Sequence, residues 1–304
     1  MERKISYEDL RKAVDEAYEQ YKTVKEGTVS PYTPETDTCA FGISVMLTDG
    51  RKINKADTGV LFPIGQIAKV PLSAVLLSQN TPDALVDKSG FGEHCRCQTR
   101  PDVPFSAHGI RAVSAVVPAG DPEGKYGVIM DTFLDMTTGE PVLDDKLYIR
   151  LKDEAAKADV TGKLAEAHYE LYDDAALATD LYLKLNSLQM TTEQLAVLGA
   201  TVAADGRNPL TGEYAFDGAI TSRIVTLMAT GCRQRGWMMR TGVPARRGFA
   251  GGILAVLPGF GAIATYAPAL CACGYSLKGA RAIEYITNKL GLNVYASARV
   301  AVDK

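Results

Sequence analysis

Between Phe62 and Leu77 the chain carries one charged residue, Lys69. The run opens Phe62-Pro63-Ile64-Gly65-Gln66-Ile67-Ala68-Lys69-Val70 and stays almost wholly apolar from Pro71 to Leu77. That pattern predicts a buried helix, entered from a strand through a glycine turn. At 304 residues the chain is long enough to build a large core around such a helix, as one large domain or two lobes. Lys69 stands at the helix start, where an amine is a poised base only if something lies within reach for it to deprotonate.

The rest of the chain supplies the surroundings of that helix. Leu10, Val14, Ala17 and Tyr21 recur at helical spacing within residues 6–25 and predict an amphipathic helix. Residues 27–34 are rich in Gly, Pro and Thr and read as extended. Phe41 to Leu47 reads as a strand with a turn at Asp49-Gly50. Residues 118–126 read as a loop, 137–140 as a polar turn, and 151–180 as helices. Thr191 and Gln194 form a capping-box signature at the head of another helix. Residues 220–232 read as helical, with Trp237 packed in a strand beyond them. Ile253 to Leu257 and Ala262 to Tyr266 flank Pro258-Gly259 as a hairpin, and Ser276 to Leu290 is a C-terminal helix ending at Gly291.

The motifs at 62–69, 181–213 and 242–292 resemble, in order, those of the serine-dependent glutaminases, relatives of the β-lactamases and penicillin-binding proteins. In that family the helix start reads F-P-I-Q-S-I-S-K. Leu181-Tyr182-Leu183-Lys184-Leu185-Asn186-Ser187 parallels its Y-F-x-Q-C-S stretch, and Ala204 to Glu213 its A-N-G-G-x-N-P-x-T-G-E loop. Gly242-Val243-Pro244-Ala245-Arg246-Arg247-Gly248-Phe249 parallels G-L-P-A-K-S-G-V. The resemblance implies an α+β, β-lactamase-like fold in which an antiparallel sheet flanked by the terminal helices carries an inserted helical lobe. It implies an α/β lobe at 1–65 and 236–304 and a helical lobe at 66–235. The family reaction is hydrolysis of L-glutamine to L-glutamate and ammonia.

The residues that carry that chemistry are the ones that differ. A Ser-x-x-Lys pair works because residues three apart share a helix face, so the amine can take the hydroxyl proton. Here the Ser position is Gln66, and an amide is no nucleophile. Lys69 and Tyr182 keep the family's catalytic positions. The Asn that would hold the substrate is Ala107, and no Asn occurs anywhere from 81 to 185. The Lys-Ser motif has become Arg246-Arg247, and the oxyanion-hole Val has become Phe249, a side chain large enough to fill substrate space. Gln66, Ala107, Arg246, Arg247 and Phe249 are therefore the altered substrate-binding positions. A Ser106–His108 pair lacks a third orienting residue. Arg233 stands near the place of the family's second active-site Tyr.

Net charge is −3 with 23% charged residues, which gives no basic field for nucleic acid. No apolar run is long enough for a membrane span, and no signal segment opens the chain, so a cytoplasmic protein is the expectation. Six cysteines at 39, 95, 97, 232, 271 and 273 then read as free thiols. Their C-x-C spacing beside His94 is narrower than usual zinc sites, and no metal or cofactor is expected. Two functions compete. One is a binding or regulatory protein that holds glutamine or another amino acid and assembles with itself or with a true glutaminase. The other is an amidohydrolase with a remodelled site built on Lys69, Tyr182 and Arg246. A thiol-based metal or redox protein is a weaker third.

Overall fold

The apolar runs of the sequence become the middle of an antiparallel sheet. The computed structural model describes residues 3–80, 105–168, 170–230, 235–272, 274–296 and 300–302. In chain order come β1 (Arg3–Ile5), α1 (Tyr7–Tyr21), β2 (Gly42–Leu47), β3 (Lys52–Ala56) and β4 (Phe62–Pro63). A 3₁₀ turn at Gly65–Ala68 leads into α2 (Lys69–Gln79). Then follow α3 (Ala107–Ser114), α4 (Pro122–Met136), β5 (Val142–Leu143), α5 (Asp145–Lys157), α6 (Val160–Glu166) and α7 (Ala175–Asn186). Next are β6 (Leu188–Met190), α8 (Thr192–Ala203), α9 (Thr221–Ala229) and α10 (Arg235–Thr241). The chain closes with β7 (Ala245–Arg247), β8 (Gly252–Leu257), β9 (Gly261–Tyr266), α11 (Leu277–Leu290) and β10 (Val300–Val302).

The main sheet has the order β3-β2-β9-β8-β7, every neighbouring pair antiparallel. Side chains alternate across a strand, so each face buries its own set. Ile43, Val45, Ile253, Ala255 and Ile263 pack with Leu10, Val14, Ile283 and Ile286 of the terminal helices. Met46, Leu254, Val256, Ala262 and Ala264 pack on the other face with Leu195, Leu198 and Val202 of α8. Covered on both sides, β2, β8 and β9 are buried at every position, which is why they read as continuous apolar runs. The Thr191–Gln194 capping box that opens α8 is formed on both sides.

A second, three-stranded sheet of order β4-β6-β5 positions the site. Phe62 pairs with Met190 and Pro63 with Gln189. The strand entering α2 is thereby stitched to the strand leaving α7, and Lys69 is brought to Tyr182. A strand ahead of the glycine turn was expected, but β5 and β6 were not, because two- and three-residue segments carry too little periodicity to read.

Two local expectations are corrected, and one open reading is resolved. The stretch read as a loop over 118–126 becomes helical at Pro122, with Asp121 as N-cap accepting from the Gly124 N–H at 2.9 Å. The Asp-Pro pair, an N-cap followed by proline in the first turn, was the signal. Trp237 lies in helix α10 rather than a strand, and its indole N–H donates to the Val243 carbonyl at 2.8 Å. Ser106 and His108 share no strand: Ser106 caps α3 and His108 is in its first turn.

Ala56 adopts a left-handed φ of 59°. A Cβ in that region costs roughly 1 kcal/mol, and the residue is exposed. Ala56→Gly will therefore stabilise the protein by about 0.5–1 kcal/mol in urea titrations, the smaller figure allowing for added freedom of the unfolded chain.

Candidate functional site

Lys69, Gln66, Ser106, Tyr182 and Arg246 meet where the head of α2 faces α3, α7 and β7. Gln66 sits half-buried on the 3₁₀ turn one step before Lys69. Its predecessor Gly65 has φ +52°, and a Cβ there would stand 2.8 Å from Phe249 Cδ1 and 3.3 Å from the Phe249 backbone nitrogen. The turn that would present a nucleophile is thus pressed against Phe249. That ring is fully buried and edge-on to Tyr32, with centroids 5.5 Å apart. Leu147, Leu151 and Leu183 complete its surroundings.

Lys69 Nζ donates to Ser106 Oγ at 2.9 Å and lies 5.6 Å from the Tyr182 ring centroid. Ser106 Oγ also accepts from the Gly109 N–H at 3.3 Å as the cap of α3. Tyr182 is buried against Gly109, and its hydroxyl has no well-formed hydrogen bond. Ala107 opens α3 beside Ser106 and offers no polar group. Arg246 and Arg247 part company, as neighbours on a strand must. A guanidinium nitrogen of Arg246 donates to the Leu227 carbonyl of α9. Arg247 stacks over Tyr275, with Cζ 4.2 Å from the ring centroid. Arg233, Cys95, Cys97, Cys232, Cys273 and His94 lie outside the described residues. Among the described residues no group of His, Cys, Asp and Glu could hold a metal ion, and no helix is long and apolar enough to cross a membrane.

Ser106 is the site residue that sequence reasoning missed, because a Ser106–His108 pair had no third orienting residue. Its partner Lys69 is 37 positions away, and only the β4–β6 stitch and the packing of α3 on α7 join them.

Burial dominates the electrostatics, with neighbouring charges second at the two cations. Burial, reinforced by the field of Arg246, pushes the Lys69 amine down to about 7. Burial and the neighbouring Arg247 lower Arg246 to about 10. Burial raises the Tyr182 phenol to about 12. Among the described residues neither Lys69 nor Arg246 makes an ion pair with a carboxylate. The amine can thus be neutral and basic near pH 7, or charged and in want of an anion.

The Lys69 shift carries a stability consequence. Its folded value of about 7 lies below its ordinary 10.5. Between those values the unfolded chain holds a proton that the folded chain lacks, so stability rises with pH across that window. Lys69→Met will raise the melting temperature more at pH 6 than at pH 10, with a ceiling of about 5 kcal/mol on the difference.

A family model described as "Glutaminase" matches residues 27–295. A Bacteroides thetaiotaomicron protein named glutaminase is 34% identical, the match covering 99% of each chain. A Desulfovibrio desulfuricans glutaminase is 29% identical over 95% of this chain and 98% of its own. Among solved structures, a probable glutaminase, ybaS, superposes with a TM-score of 0.86 at 26% identity, covering 96% of this chain and all of that one. The Bacillus subtilis glutaminase YbgJ, in covalent complex with 5-oxo-L-norleucine, superposes at 0.78 with 22% identity, covering 94% of this chain and 98% of its own. The expected antiparallel, β-lactamase-like α+β fold is the one observed.

Proposed function

Since this chain belongs to the glutaminase family, we propose that it is a member that does not hydrolyse glutamine by the family's serine route and that binds a small amino-acid-like ligand in a regulatory task. The observation that carries the reading is Gln66 at the head of α2, with the Lys69 amine turned to Ser106. Loss of a serine nucleophile lowers turnover about a millionfold, or about 8 kcal/mol of transition-state stabilisation. The loss of amide-binding Asn at Ala107 and the burial of Phe249 against Gly65 remove further parts of the amide site. Self-association, or association with an active relative, is the regulatory route we propose, and sedimentation of the purified chain tests it. The function itself is tested by ammonia release from L-glutamine alongside calorimetric titration with the same compound. Binding heat without ammonia is the expected pair. Steady ammonia release at a typical enzyme rate, about 1 s⁻¹ or more, would overturn the reading.

A second reading is favoured by one distance. Lys69 Nζ and Ser106 Oγ are 2.9 Å apart, and the amine titrates near 7. A neutral amine there could take the Ser106 proton as Oγ attacks a carboxamide carbon. The C–N bond would then break, ammonia would leave with that proton, and water would hydrolyse the acyl ester. Such a Ser–Lys amidohydrolase has a signature. Its rate rises with pH through about 7 and vanishes in Ser106→Ala.

A further inference from the structure

A cavity of about 420 Å³ lies between residues 32–37, β4 with its approach, β6 and the first turns of α5. That volume falls within the roughly 300–1,000 Å³ of small-molecule sites. Gln66, Lys69, Ser106, Tyr182 and Arg246 are not among its lining residues. Its wall carries two charges without an ion pair: among the described residues neither Lys146 nor Asp37 makes one, and the Asp37 carboxylate accepts the Cys39 N–H at 2.9 Å. The other charges at the wall are committed. Arg150 donates to the Tyr32 carbonyl at 2.6 Å and to Glu35 at 3.0 Å. Asp144 accepts from the Leu147 N–H at 2.9 Å and from the Gln189 amide at 2.8 Å.

Apolar surface stands open at the same place. Val60 and Leu61 line the cavity and are exposed, though both are large aliphatic side chains. Thr33, 8% exposed, lines it too, and its buried hydroxyl has no hydrogen-bond partner. A buried hydroxyl left without a partner is costly, and it can both donate and accept. A simple amine would answer Asp37 but crowd Lys146 and Arg150. A simple acid would answer Lys146 but add an anion beside Glu35, Asp37 and Asp144. A zwitterion answers both charges, and an aliphatic side chain on it takes Val60 and Leu61 out of water.

We propose that this cavity is a second small-molecule site, which takes a free amino acid with a branched aliphatic side chain. Its ammonium pairs with Asp37, its carboxylate with Lys146, and its side chain lies against Val60 and Leu61. Neither charge belongs to the site at the head of α2, so binding here stands apart from any reading of that site. Pro63 and Gln189, paired across β4 and β6, also line the cavity, and Tyr32 at its wall is edge-on to Phe249. An amino acid held here touches the stitch that brings Lys69 to Tyr182, and so is placed to act as a regulatory ligand.

The test is calorimetric titration of the purified chain with L-leucine and with its two fragments. Isopentylamine is leucine without the carboxylate, and 4-methylpentanoate is leucine without the ammonium. The titration is repeated on Asp37→Asn, Lys146→Met and Lys69→Met, each first checked for a cooperative melt. L-Leucine is expected to bind at least tenfold tighter than either fragment. Asp37→Asn and Lys146→Met, both at exposed positions, are each expected to lose at least fivefold, and Lys69→Met to bind as the unmodified chain does. A fragment that binds as tightly as L-leucine overturns the zwitterion assignment. Binding that survives both Asp37→Asn and Lys146→Met overturns the site, and its loss in Lys69→Met would move the ligand to the head of α2. Neither heat nor a rise in melting temperature with L-leucine overturns the proposal and leaves the reading of the head of α2 untouched.

Discussion

Gln66→Ser will leave L-glutamine hydrolysis within about tenfold of the unmodified chain, although it recreates the Ser-x-x-Lys spacing. A serine hydroxyl at 66 needs its proton taken by Lys69, and the amine is already directed to Ser106 Oγ at 2.9 Å. The substrate amide needs a partner where Ala107 now stands, and the family's Lys-Ser pair is Arg246-Arg247. Arg246 faces α9 and Arg247 faces Tyr275, so neither places a hydroxyl in the cleft. Restoring one member of a set that acts as a unit recovers little of the whole, because the members' effects are far from additive. Ammonia release by the purified variant measures this. A gain above about a thousandfold, close to 4 kcal/mol, would mean that the surrounding site is intact.

Gly109→Ala will destabilise the protein by about 2 kcal/mol and weaken any ligand held by Tyr182. A Cβ at 109 would lie 2.3 Å from Tyr182 Cζ and 2.6 Å from its hydroxyl oxygen. No real contact is that short, so the ring or the helix must move. The ring is enclosed at 1% exposure and has nowhere to go. Overpacking of a tight core costs about 1–3 kcal/mol, sometimes more. The better helix propensity of Ala returns at most about 1 kcal/mol. Urea unfolding reads the stability, and the ligand titration reads the displaced phenol. A neutral result would mean that α3 can slide away from α7, and that the Ser106–Lys69 contact is adjustable rather than fixed.

The fold was legible because its punctuation survived. Thr191 and Gln194, the Ala204 to Glu213 loop, Pro258-Gly259 and Gly291 fix backbone turns wherever they occur, and their order along the chain specified the sheet and its helices. The site was legible only as a set of losses. Gln66, Ala107, Arg246 and Phe249 could be read as changed positions, but what replaced the old contacts was not local. Lys69 meets Ser106 through the pairing of Phe62 with Met190 and the packing of α3 against α7. Neither leaves a trace in spacing. Arg246 and Arg247 looked like one basic pair, and strand alternation sends one to the Leu227 carbonyl of α9 and the other to Tyr275. The helix at Pro122 was missed for a different reason: composition marked a loop, and the Asp121 cap was the stronger signal.

Covalent trapping reaches the central claim most directly. 6-Diazo-5-oxo-L-norleucine reacts with the Bacillus subtilis glutaminase YbgJ to give a covalent 5-oxo-L-norleucine complex. Incubation of this protein with the same compound, followed by intact-mass and peptide mass spectrometry, asks whether any side chain here is an activated nucleophile. The expected result is an unmodified chain, with Gln66 and Ser106 both intact. An adduct on Ser106 would contradict the non-hydrolytic reading and establish the Ser106–Lys69 pair as the working nucleophile and base.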